Sequence, residues 1–127
     1  MAKNNAFQDT IVAVATPPGH GGVAIVRLSG SQARSIAETL FVKPSGDRFC
    51  EWPSHLLRYG RLVDAKTSET VDKGMAVYME SPRTYTGEET VEFHLHGSPT
   101  VCDLTVRLCT EAGARLAQPG EFTQRAF

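Results

Sequence analysis

No apolar run in this chain of 127 residues approaches the roughly 20 that a bilayer-spanning helix needs, which argues against a helical membrane span. The opening residues Met1-Ala2-Lys3-Asn4-Asn5-Ala6 lack the apolar stretch of a secretory leader, so a cytoplasmic setting is expected. An excess of positive charge is missing too: 13 basic against 14 acidic residues give a net charge of −1. Such a chain has no global basic field for the phosphate backbone, and any RNA would need another electrostatic handle. Cysteine is scarce. Cys50, Cys102 and Cys109 have no metal-knuckle spacing and leave an odd thiol under any pairing, so reduced, buried thiols are expected rather than a disulfide framework. No Gly-Lys-Ser/Thr phosphate loop and no G-x-S-x-G elbow occur, and the serines sit in turn, cap or surface contexts. Catalysis by this chain alone is not indicated.

What is present suits one globular domain with a modest core: 41% hydrophobic and 21% charged residues. Residues 9–16 read as a strand that Pro17-Pro18-Gly19 ends, and the β-branched residues 23–28 read as a second. Ala33, Ile36, Ala37, Leu40 and Phe41 recur at helical spacing, with Ser29 or Ser31 as the expected N-cap. Residues 41–57, broken by Pro44, Gly46 and Pro53, read as a loop. Strands follow at 58–64 and 71–79, joined by a polar turn, and at 91–96. Val101, Leu104, Leu108 and Ala112 then mark a helix over 99–112 with Gly113 at its end, and a short strand over 114–117 follows. The order β-β-α-β-β-β-α-β does not alternate one for one. It predicts an α+β fold, a sheet with two helices packed on it, rather than a doubly wound parallel sheet. Residues 1–118 form the expected domain, and 119–127 read as the start of a helix belonging to a following helical domain.

The segment Thr84 to Ser98 carries the most chemistry. Its strand alternates strictly: Val91, Phe93 and Leu95 face one way, Glu92, His94 and His96 the other. A wet face of one carboxylate and two imidazoles is costly for solubility alone. A metal site on Glu92, His94 and His96 is one reading, but side chains two apart on a strand start about 7 Å apart and converge poorly on one ion. A carboxylate that accepts parallel hydrogen bonds from an amino-pyrimidinone edge, with the imidazoles beside the ring, suits the pattern better. Arg27, alone among apolar neighbours on its strand, is either an exposed edge charge or a guanidinium fork for a ligand carboxylate or phosphate. The loop Gly19-His20-Gly21-Gly22-Val23-Ala24 fits a dinucleotide fingerprint by letters. A strand follows it, however, where pyrophosphate binding needs a helix N-terminus, so it reads as a tight turn.

Three blocks bring a known family into view: Ala15 to Gly30 (Ala-Thr-Pro-Pro-Gly-His-Gly-Gly-Val-Ala-Ile-Val-Arg-Leu-Ser-Gly), Pro82 to Gly97, and Gly113 to Phe127. Together they closely resemble the N-terminal domain of the tRNA-modification GTPase MnmE/TrmE family, from about Asp9 onward. The resemblance implies an α+β tetrahydrofolate-binding module similar to the folate domain of aminomethyltransferases. It also implies a homodimer that binds 5-formyltetrahydrofolate near its interface. The parent enzyme would use GTP with Mg2+ and K+ in a GTPase domain absent from these residues. With an FAD-containing partner of the GidA/MnmG type it would modify C5 of the wobble uridine in tRNA, drawing a one-carbon unit from folate. By motif, the family's folate-binding arginine falls on Arg27 and its glutamate on Glu92; no catalytic residue and no metal ligand is carried over. His20, Ala24 and Ser98 depart from the usual family letters. They leave open a purely structural dimerisation domain that has lost its ligand.

Overall fold

The computed structural model describes residues 9–16 and 22–127, so the loop turn centred on His20 lies outside the described residues. Its elements in chain order are β1 (Ile11–Val14), β2 (Val23–Ser29), α1 (Ala33–Leu40), β3 (Phe41–Val42), β4 (Arg58–Val63), β5 (Thr70–Met79), β6 (Thr90–His96), α2 (Pro99–Glu111), β7 (Arg115–Leu116) and α3 (Glu121–Ala126). The strands form one seven-stranded sheet in the order β3-β4-β5-β6-β2-β1-β7. Its pairings are antiparallel except for β7, which lies parallel to β1. This mixed sheet with helices is the α+β class that the sequence predicts.

Period-two burial decides which face the helices cover. Val26 and Leu28 of β2, and Val91, Phe93 and Leu95 of β6, are all buried, as are Ile36, Ala37 and Leu40 on the inner face of α1. They join Leu108 and Cys109 of α2 in one core cluster. Each large side chain taken from water there contributes about 1.5–3 kcal/mol. The alternating residues of β2 and β6 lie on the opposite face.

Four local expectations change. α1 is capped by Gln32 with no side-chain bond, not by Ser29 or Ser31; Ser29 is the buried last residue of β2. The helix stops at Leu40, and Phe41–Val42 becomes strand β3 rather than the start of a loop. Phe41 falls four residues after Ala37, so the helical pattern runs on through it although the backbone has turned extended. The ring of Phe41 lies 5.7 Å from Phe49, 6.3 Å from Trp52 and 5.9 Å from Phe93. The supposed loop thus gives Phe49 and Trp52 to the core, while most of its other residues stay exposed. Cys50 is exposed, whereas Cys102 and Cys109 are buried as expected.

α2 follows its sequence signals. Ser98 accepts a bond from the Val101 amide, Pro99 opens the helix, and Gly113 (φ 121°) leaves it through the left-handed region. The last helix, α3, is tied to the rest of the chain by charge. Arg115 Nη2 lies 2.7 Å from Glu121 Oε2, and Arg125 donates to the Asp9 carbonyl at 2.7 Å. Among the described residues no helix is long and apolar enough to cross a membrane.

Candidate functional site

β2 and β6 run side by side with Arg27 directly opposite Glu92. Two residues 65 positions apart thereby become nearest neighbours on the face away from α1 and α2. Arg27 Nε lies 2.8 Å from Glu92 Oε2, and Nη2 reaches the same oxygen at 2.8 Å. Both guanidinium nitrogens converge on one oxygen, which leaves Oε1 for His94 Nε2 at 3.1 Å. Only 15% of the Glu92 side chain and 24% of the Arg27 side chain are exposed, so this is a half-buried, charge-assisted cluster and not a surface pair.

The surroundings are apolar. Val77 of β5 pairs with Glu92, Ala13 of β1 pairs with Arg27, and His94 sits between Ile25 and Met75. The guanidinium of Arg27 lies 5.6 Å from the centroid of the Phe122 ring, which α3 brings over it. Tyr85 and Thr123 join hydroxyls at 2.9 Å on the same approach. Phe122 is a site neighbour that the sequence pattern did not reveal, because nothing local in Glu121-Phe122-Thr123 says where a short helix will dock.

The polar stripe of β6 is split by its partners. Glu92 and His94 act together. His96 instead turns to Asp72 of β5, whose Oδ1 lies 2.8 Å from Nδ1 and whose Oδ2 accepts from the His96 amide at 2.9 Å. Among the described residues no group of three His, Cys, Asp or Glu side chains is arranged to hold a metal ion. The geometry gives the metal reading of Glu92, His94 and His96 no support.

The turn before β6 is anchored from both sides. Ser29 Oγ lies 2.7 Å from Thr86 Oγ1 and donates to Glu88 Oε1 at 2.8 Å. Glu88 in turn receives Arg125 Nη1 at 3.1 Å. The Arg125 side chain is 3% exposed, so α3 docks through a desolvated cation that must keep its acceptors. Beside it, the hydrogen bond from Arg115 holds the Glu121 carboxyl below its ordinary range, against the opposing effect of burial.

The site is thus a half-buried, charge-assisted cluster on an open sheet face with a helix end at its rim. Residues 10–127 match the family described as GTP-binding protein TrmE N-terminus, and the chain belongs to that family. It is 48% identical to a tRNA modification GTPase MnmE of Geobacillus kaustophilus over 119 residues, covering 94% of this chain and 26% of that protein. A protein of the same name from Roseiflexus castenholzii is 48% identical over 121 residues, 95% of this chain and 25% of its own length. One from Trichormus variabilis is 48% identical over 129 residues, 100% of this chain and 27% of its own. The chain thus spans about a quarter of the length of the curated relatives it matches.

Proposed function

We propose that this chain is the folate-binding, homodimerising N-terminal domain of a tRNA-modification GTPase, with Glu92 and Arg27 at the centre of its ligand site. The observation that carries the reading is the pair itself. A carboxylate offers about four acceptor positions, and Arg27 and His94 use three of those on Glu92. The free position lies on Oε1 beside the one His94 occupies, so one N–H of an amino-pyrimidinone edge bonds there and the second, parallel N–H reaches Oε2 as one arginine nitrogen yields. Because Arg27 neutralises Glu92, the ligand group docking there is neutral and donor-rich, as the pterin head of 5-formyltetrahydrofolate is, rather than anionic.

Arg27 and Glu92 therefore serve one end of the ligand. Their direct contact argues against one residue gripping the pterin while the other holds the distant glutamate tail. Arg27 is best described as the residue that orients Glu92. The folate-domain likeness to aminomethyltransferases, the dimer and the cytoplasmic setting belong to the same proposal. So do the FAD-containing GidA/MnmG-type partner and the modification of C5 of the wobble uridine in tRNA with a folate-derived one-carbon unit. GTP hydrolysis, with Mg2+ and K+, is assigned to sequence outside these 127 residues.

Isothermal titration with 5-formyltetrahydrofolate tests the site. Losing hydrogen bonds to a charged acceptor costs about 1.5–3 kcal/mol each, so Glu92→Ala is expected to weaken binding at least tenfold. Equal affinity of wild type and Glu92→Ala would remove Glu92 from the site. Sedimentation velocity with and without folate separates this reading from a ligand-free dimerisation domain, since a dimer that never binds folate favours the latter.

A further inference from the structure

Away from the Arg27–Glu92 cluster, Ser54 Oγ lies 2.6 Å from Nδ1 of its neighbour His55. The other ring nitrogen, Nε2, lies 3.0 Å from the carbonyl oxygen of Arg83. A carbonyl only accepts, so the neutral imidazole carries its proton on Nε2 and presents a bare lone pair at Nδ1. The Ser54 hydroxyl must then donate to Nδ1. That is a nucleophile hydrogen-bonded to its base, with the base oriented by a third group. The Glu80 amide donates to Ser54 Oγ at 2.9 Å and places a positive dipole where alkoxide charge develops. His55 holds this geometry with φ 63°, a left-handed backbone that non-glycine residues adopt at a cost.

Ser54 and His55 line a cleft of about 590 Å³ together with Glu80, Ser81, Pro82 and Arg83. The cleft has the size of a small-ligand site. It shares no residue with the Arg27–Glu92–His94 cluster.

We infer that Ser54 is a nucleophile with His55 as its general base, forming an acyl-transfer site for small, uncharged carboxylic esters. Ser54 Oγ bonds to the acyl carbon while its proton passes to His55 Nδ1. The ester C–O bond breaks, and the departing alkoxide takes that proton and leaves as the alcohol. A water deprotonated by Nδ1 then attacks the acyl-serine, releasing the carboxylic acid and restoring the hydroxyl. Arg83 and Glu80 both line the cleft, and the Glu80 carboxylate disfavours esters that carry a carboxylate of their own. The competing reading is that Ser54 and His55 only brace residues 80–83.

A fluorophosphonate probe, read by intact-mass spectrometry of the whole chain, separates the two. Fluoride leaves as Ser54 Oγ bonds to phosphorus, so one adduct per chain is expected, mapping to Ser54 and absent in Ser54→Ala. His55→Asn keeps a residue that tolerates left-handed backbone but lacks the basic nitrogen, and should slow labelling at least tenfold while thermal unfolding stays cooperative. If Ser54→Ala does not fold, Ser54→Cys supplies the check: iodoacetamide should alkylate the introduced thiol faster than exposed Cys50, and more slowly once His55→Asn is added. No adduct on the wild type, or a labelling rate indifferent to His55→Asn, overturns the inference.

Discussion

Arg27 and Glu92 face each other across β2 and β6, with Nε and Nη2 of the arginine both 2.8 Å from a single carboxylate oxygen. One guanidinium therefore fixes the rotamer and the free oxygen of the central carboxylate. The remaining oxygen points to His94, which makes the cluster a prepared acceptor before any ligand arrives.

Removing Arg27 should be felt as lost stability as well as weaker binding. Arg27→Ala leaves a half-buried carboxylate without its two guanidinium donors, at a cost of about 1–3 kcal/mol. Arg27→Ala combined with Glu92→Gln should cost clearly less than the sum of the two single changes, because the second relieves what the first exposes. Urea unfolding of the four proteins measures the coupling; strict additivity would mean that the pair is energetically idle.

The docking of α3 should weaken in acid. The folded Glu121 carboxyl titrates below its ordinary range, chiefly through the bond from Arg115, so its contribution is present above the unfolded pKa of about 4.3 and is lost as pH falls through the lower folded value. Glu121→Gln is expected to lower stability near pH 7 by about 1–3 kcal/mol. Thermal melts from pH 7 downward should show the gap between wild type and variant closing below about pH 4, by the same linkage. A gap independent of pH counts against this role.

Thiol chemistry should sort the cysteines. Burial pushes the Cys109 thiol up to about 12 and raises that of Cys102, while Cys50 is exposed. The thiolate is the reactive form. Native protein should take up one iodoacetamide at Cys50, and denaturant should open the other two. Fast labelling of Cys109 without denaturant would place it outside the core.

The edge of the sheet should depend on one aromatic and one glycine. Phe41→Ala removes a fully buried ring from contact with Phe49, Trp52 and Phe93, an expected loss of about 3–5 kcal/mol. Gly60 lies so close to the Val42 carbonyl and the Phe41 ring that a Cβ there would overlap both. Gly60→Ala should force β3 and β4 apart and shift the urea midpoint in the same direction as Phe41→Ala. A neutral Gly60→Ala would mean that the strand pair yields without cost.

Local pattern carried a large part of the architecture. Alternation along β6, the helical spacing of α2 with Ser98 before it and Gly113 after it, and the β4–β5 hairpin all appear in the structure where their residues predict. Each rests on interactions within a few residues, which a sequence displays directly. β3 stayed hidden because its partner is β4, some 20 residues on, and because Phe41 satisfies a helical period and a buried strand equally. Arg27 and Glu92 were readable as unusual residues on their strands, and family likeness marked them as ligand contacts. Their direct pairing depends on strand order and register. So does the separation of His96, which Asp72 draws away from Glu92 and His94.

The sequence by itself determined that this chain forms an α+β domain with a charged strand face, because burial period and capping chemistry are local. The tertiary structure decided that β2 lies beside β6, that α3 brings Phe122 over Arg27, and that Glu92 keeps one oxygen free of arginine. Those outcomes depend on how distant segments bury their surfaces together, and no window of neighbouring residues contains that information.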